Sequence, residues 1–295
     1  MTSSKTVRVA VAIDVRPEVG EGPHWDHASQ TLWFVDLTGG TVFRYHPLDG
    51  TVDQFSVGQE VGAAIPRDVG GVVLAVRDGI AVAAEDGDGF RIAVPIEGTR
   101  RTNRMNDAKC DPAGRLLAGT TAFDFTPRSG ALYRIDPDWS ETTVVSDVTT
   151  SNGTAWSPDG GRMYFIDSAT QGVDVFDYDV ASGSLGTRRR LVTIARGDGV
   201  PDGMTVDADG RLWVACFGAG AVRCYSPMGE LVQVIAFPVS QVTSCAFGGR
   251  DLSDLYVTSA GYRFTPEQRA KEPLAGATFV CQPGATGSPA ASFAG

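Results

Sequence analysis

Short runs of β-forming residues recur along the whole chain, each preceded by a turn carrying Asp and Gly. The runs are TLWFVDL, GVVLAVR, RLLAGTT, RMYFIDS, RLWVACF and DLYVTSA. Each is too short for an amphipathic helix and suits a strand bounded by turn residues. Anchored on Trp33, Leu74, Leu116, Tyr164, Trp213 and Tyr256, they follow one another at 41, 42, 48, 49 and 43 residues. A period of roughly 40–50 residues built from short strands is the pattern of a β-propeller. Six repeats predict six blades.

The fifth repeat shows a whole blade. GMTVDAD is the expected innermost strand, followed outward by RLWVACF, AVRCYSP and LVQVIAF, with turns at Asp209-Gly210, Gly218-Ala219-Gly220 and Met228-Gly229. The first repeat divides in the same way. The sixth holds only TSCAFGG, DLYVTSA and ATFVCQP, one strand short. An unassigned strand, Val7–Ile13, precedes the first blade. Placed outermost in blade six, it closes the ring and covers an otherwise exposed edge. The expectation is an all-β chain, a single six-bladed β-propeller domain over residues 1–284. The stretch PGATGSPAASFAG reads as leaving 285–295 a disordered tail.

Composition narrows the function. The 36 Gly and 16 Pro among 295 residues agree with many turns, and 42% hydrophobic residues can fill a full-sized core. With 25 basic against 35 acidic side chains the net charge is −10, which argues against nucleic acid as a partner. No apolar run approaches the ~20 residues of a membrane span. The opening MTSSKTVRVAVAIDV carries no small-residue cleavage site, so no signal peptide is expected. Cys110, Cys216, Cys224, Cys245 and Cys281 are odd in number and form no C-x-x-C pair, which predicts reduced, buried thiols and a cytoplasmic protein. Only His24, His27 and His46 are present, so no multi-His metal site or His-based triad can be spread through the fold.

In a propeller the innermost strands line the central channel and begin at one mouth. The residues ten to twelve positions before each anchor are Glu21, Ala63, Asn106, Asn152, Asp202 and Ser244. Five residues further on, Asp26, Asp68, Asp111, Ser157 and Asp207 support the register in the first five blades. Singly, such Asn and Asp residues read as turn formers. As a set meeting on one axis, they read as oxygen ligands for one divalent cation. Glu21, Asn152 and Asp202 are the expected ligands, with Asn106 nearby. Oxygen donors of this kind suit Ca²⁺, Mg²⁺ or Mn²⁺ and also admit Zn²⁺. Second-strand ends place Asp36, Phe123-Asp124, Ser168, Phe217 and Gly261-Tyr262 around the rim, and the insertion 262–274 is a candidate lid. Arg104, two residues before Asn106, either holds substrate oxygens or pairs with a neighbouring carboxylate.

EGPHWD around Glu21, NRMNDAKCDPAGRLLAGT around Asn106, SNGTAWSPDGGRMYFIDS around Asn152 and PDGMTVDADGRLWVACF around Asp202 resemble the regucalcin (senescence marker protein) and gluconolactonase family. The resemblance runs from about residue 15 to about residue 282 with its motifs in order. It implies a metal-dependent lactonase that opens a sugar-acid lactone, an aldonolactone such as gluconolactone, using one central cation. Carried over by position, the metal ligands fall on Glu21, Asn152 and Asp202, and the substrate contacts on Arg104 and Asn106. In the stretch GTTAFDF the family's Met and Glu pair are missing, so the substrate carboxylate falls on the shorter Asp124. Asp202 is the expected general base for the attacking water, and the cation would polarise the lactone carbonyl. The expected partner is therefore a small-molecule sugar lactone, with neither nucleic acid nor membrane, for a monomer or small homo-oligomer. Two other readings share the scaffold: an esterase or organophosphate hydrolase, and a non-catalytic calcium-binding regulator.

Overall fold

The six repeats fold as six four-stranded antiparallel sheets, the blades of a propeller. The chain is described by a computed structural model over residues 7–98 and 101–295. The innermost strands are Gly20–Asp26, Val61–Pro66, Asn103–Cys110, Ser151–Trp156, Val200–Val206 and Val242–Gly248. In blades one to five the remaining strands follow outward in chain order. Blade six is completed by Val9–Ile13, which pairs outside Thr278–Cys281 through Val9–Cys281, Ala10–Val280 and Val11–Phe279. The expected closure of the ring by the first strand is therefore present.

Apolar side chains collect in six separate cores, one between each pair of neighbouring blades. Blades five and six, for example, share Trp213, Phe237, Phe247 and Phe279. The closing interface between blades six and one holds Ile13, Trp25, Phe34, Leu252 and Tyr256. There Trp25 stacks on Tyr256 at 5.7 Å between ring centroids. Each such side chain contributes about 1.5–3 kcal/mol when fully removed from water, so Ile13 ties the chain's beginning into a core like the other five. All five cysteines are free and buried. Among the described residues, no helix is long and apolar enough to cross a membrane.

The Asp residues that mark the repeat are hairpin fasteners. Asp111 accepts from the Ala113 and Arg115 amides at 2.9 and 2.8 Å and from the Tyr178 hydroxyl at 2.5 Å. Asp207 does the same for Asp209 and Arg211 and accepts from the Trp213 indole N–H at 2.9 Å. These carboxylates lock the turn between the first and second strands of a blade, so their recurrence follows from structure and not from chemistry.

Residues 285–295, expected to be disordered, are instead a strap across the far side of the ring. The Ala208 amide donates to Thr286 O and the Gly287 amide to Leu252 O, both at 2.8 Å. At its other end Phe293 is fully buried in the core between blades two and three, edge-on to Trp139 with ring centroids 4.9 Å apart. One aromatic anchor and its backbone bonds outweigh the polar, small-residue composition that suggested disorder. Between these anchors, Ser288–Ala291 cover a cavity of about 230 Å³ at the far mouth of the channel, whose lining includes His24 and Lys109.

Candidate active site

Every innermost strand bulges near its start. Pairing with the second strand skips between Glu21 and His24, Val61 and Ala63, Met105 and Asp107, Ser151 and Thr154, Pro201 and Met204, and Val242 and Cys245. A bulge leaves a residue out of the ladder and re-aims its side chain. Asn106, Asn152 and Asp202 are such unpaired residues, and Glu21 is the last paired residue before its bulge. Glycine follows each of the three expected ligands. A Cβ on Gly22 would stand 2.6 Å from Gly62 O, and one on Gly153 would stand 2.8 Å from Asp202 O. A Cβ on Gly203 would overlap the Ser244 hydroxyl. These glycines let adjacent inner strands approach closely enough to bring their side chains onto one axis.

The expected residues meet at the floor of a cavity of about 730 Å³, with Glu21, Arg104, Asn106, Asn152 and Asp202 all in its lining. Glu21, Asn106, Asn152 and Asp202 are buried. Glu21 accepts from the Gly22 amide at 3.0 Å. The Asn152 side-chain N–H donates to Ser168 Oγ at 2.9 Å, and Ser168 in turn donates to Pro201 O at 2.7 Å. This relay fixes the amide and leaves Asn152 Oδ1 buried without a hydrogen-bond partner. Asn106 donates to Ser151 O at 2.8 Å and accepts from the Arg104 guanidinium at 2.7 Å. Arg104 is thereby held over the floor.

Burial, first, and then the neighbouring charges raise both carboxyls well above the usual range: Asp202 and Asp107 act on Glu21, and Asp107 acts on Asp202. Arg104 relieves both, and its own charge, disfavoured by burial, is supported by Tyr262, Glu60, Glu21 and Asp202. Asp107 was not anticipated as part of this field. It is buried, its acidity is weakened by desolvation, and Lys109 favours its charged form. Lys109 donates to Met204 O at 2.7 Å, deeper in the channel. The only trace of this in the sequence is that Asp107 directly follows Asn106.

Other expected positions divide. Phe123, Ser168, Phe217 and Tyr262 line the cavity, whereas Asp36 faces the Glu18 and Val19 amides instead. In blade six, Thr243 lines the cavity in place of Ser244. The two-residue bulge there shifts the register by one. Asp124, expected to bind substrate, does not reach the cavity; its carboxylate accepts from the Thr126 amide and hydroxyl at 3.0 and 2.7 Å. Phe125, not anticipated, stands in the lining beside Phe123. Of the insertion 262–274, only Tyr262 lines the cavity. Its short helix, Pro266–Lys271, is capped by Thr265, and Glu272 accepts from the Ser240 amide at 2.6 Å.

Among the described residues, no three His, Cys, Asp or Glu side chains gather into a metal cluster. The set that does converge is two carboxylates and an amide oxygen, all hard donors, and the unpartnered Asn152 Oδ1 lacks only an electropositive neighbour. It fits a divalent cation of the Ca²⁺ or Mg²⁺ type completed by water.

Comparison with known proteins agrees with this architecture. The model of the SMP-30/gluconolactonase/LRE-like region matches residues 19–261. A regucalcin of Danio rerio is 40% identical over 295 residues, covering 98% of this chain and 99% of that protein. A solved luciferin-regenerating enzyme superposes with a TM-score of 0.90 at 35% identity, covering 98% and 99% of the two chains. A calcium-binding regucalcin from Agrobacterium tumefaciens superposes with a TM-score of 0.94 at 25% identity over 98% of both chains. The family match spans most of the chain and the relatives nearly all of it: the protein belongs to the SMP-30/gluconolactonase/LRE-like family.

Proposed function

We propose that the protein is a divalent-cation-dependent lactonase, hydrolysing the cyclic ester of a small carboxylic acid to the open hydroxy acid. The observation that carries this reading is the buried trio Glu21, Asn152 and Asp202, with Asn152 Oδ1 left unpartnered at the floor of a cavity that also holds Arg104. A cation held by the trio would supply a Lewis acid for the ester carbonyl. Arg104, braced by Asn106, donates to substrate oxygens and orients the ring. Asp202 takes a proton from the water that adds to the carbonyl carbon, and returns it to the ring oxygen as the C–O bond breaks. Ser168 holds the Asn152 amide, and Gly153 admits the close approach of the Asp202 strand.

The second reading, a calcium-binding protein without turnover, is favoured by the description of the Agrobacterium regucalcin and uses the same donors. One experiment separates them. Chelated protein is resupplied with Ca²⁺, Mg²⁺, Mn²⁺ or Zn²⁺ and assayed by acid release from a panel of aldonolactones and simple lactones. Cation-dependent acid release supports the lactonase. Saturable cation binding with no acid released from any lactone would leave the binding protein.

A further inference from the structure

Few large apolar side chains of this protein are left exposed, and three of them line the one cavity that holds the expected ligands. Phe123 is 41% exposed, Phe125 is 42% and Val200 is 38%. Phe217, Pro127 and Tyr262 add further apolar surface to the lining. The two phenylalanines are presented by a tight turn in which the Phe125 amide donates to Ala122 O at 3.0 Å. Asp124 fastens that turn through Thr126. Phe125 adopts a φ of 57°, in the left-handed region that bulky residues avoid. Trp139 and Leu252 share that backbone region but are packed away, whereas the Phe125 ring is left in water at the cavity.

Polar groups on the wall above the floor are partly engaged already. Thr149 Oγ1 accepts from the Arg128 amide at 3.1 Å, and Ser168 donates to Pro201 O. Asp124 is absent from the lining, its carboxylate engaged by Thr126, and Glu60 is the acidic side chain of the rim, paired with Arg77. The floor is thus polar and suited to a carbonyl, while the rim carries exposed aromatic and aliphatic side chains beside polar ones, among them Thr38, Glu60, Gln171 and Arg196.

Building on the lactonase reading, we propose that the substrate is a lactone bearing an apolar alkyl or aryl substituent, which packs on Phe123, Phe125 and Val200 while the ring ester meets the floor. Selectivity then runs against polyhydroxylated aldonolactones. Each methylene removed from water strengthens binding by up to about fourfold, so a chain of several carbons separates the two classes by one to two orders of magnitude.

The test compares kcat/KM for δ-decanolactone, unsubstituted δ-valerolactone and glucono-δ-lactone, each with its rate corrected for spontaneous opening. The expected result is a ratio of at least tenfold for δ-decanolactone over either of the others. In the double variant Phe123→Ser, Phe125→Asn that ratio should fall at least tenfold; Asn tolerates the left-handed backbone and keeps the turn. Val200→Ser, on a different blade, should lower it in the same direction, and thermal melting of all variants checks that they fold. Preference of the wild type for glucono-δ-lactone, or a ratio unmoved by the variants, overturns the proposal and leaves the lactonase reading standing. No opening of any of the three lactones with any cation overturns both.

Discussion

Phe293→Ala tests how the ring is held from its far side. The Phe293 ring is fully buried among Ile65, Cys110, Leu116 and Ile135, against the edge of Trp139. Emptying such a site costs the transfer of the ring plus the cavity left behind, about 3–5 kcal/mol for Phe to Ala. The upper half of that range applies if the surrounding backbone holds. Phe293 N–H donates to Pro66 O at 2.9 Å, the Asp68 amide donates to Phe293 O at 2.9 Å, and Arg67 Nε donates to Gly295 O at 2.7 Å. Each bond contributes only about 0.5–1.5 kcal/mol net, so the strap can also peel away, exposing Trp139 and the cavity beside His24. Urea unfolding followed by tryptophan emission reads both effects: a lower midpoint at nearly unchanged slope, and a red shift in the folded baseline if the strap has left. A loss below about 1 kcal/mol with no emission change would refute the claim that this residue anchors the strap.

Three further outcomes follow from the geometry. His24 is held near a pKa of about 4 by burial and then by Lys109, against 6.5 when unfolded. At His24 the unfolded chain therefore binds more protons between those values, and this group's contribution to stability should fall by about 3 kcal/mol as pH drops from about 6.5 to about 4, against the opposite contribution of the raised Glu21 and Asp202 carboxyls. Across that range the difference in urea midpoint between wild type and His24→Asn should shift with this slope. Gly153→Ala places a Cβ 2.8 Å from Asp202 O and Met204 N, so it should destabilise by about 1–3 kcal/mol and weaken cation binding by calorimetry. Deleting residues 1–13 removes the outer strand of blade six and Ile13 from the closing core, so the melting transition should broaden and its midpoint fall.

The propeller was legible because blade strands are short, apolar and evenly spaced, and the anchors from Trp33 to Tyr256 survive unrelated turns. Glu21, Asn106, Asn152 and Asp202 could be picked out because they stand at equivalent repeat positions near the start of inner strands. The bulges could not be read. An extra residue breaks the alternation that marks a strand, so Gly203 looked like a strand beginning, and that inner strand in fact starts three residues earlier, at Val200. The same effect exchanged Thr243 for Ser244. Phe293 was hidden because a single aromatic in a Gly, Ser, Ala and Pro stretch carries no periodic signal, though it is enough to dock a strap. Asp124 was placed by counting along a resemblance, and only the structure reveals that its carboxylate fastens its own turn through Thr126.

The central claim is that Glu21, Asn152 and Asp202 hold one catalytic cation. Its most direct test is cation stoichiometry by equilibrium dialysis, with lactone turnover measured on the same samples, for wild type and Asp202→Asn. The account predicts one cation per wild-type chain and turnover that vanishes on chelation and returns with the metal. In Asp202→Asn, affinity should drop at least a hundredfold and kcat/KM at least a thousandfold. Melting should be unchanged or raised, because one of two buried like charges has been removed. Turnover that survives exhaustive chelation, or persists undiminished in Asp202→Asn, would contradict it.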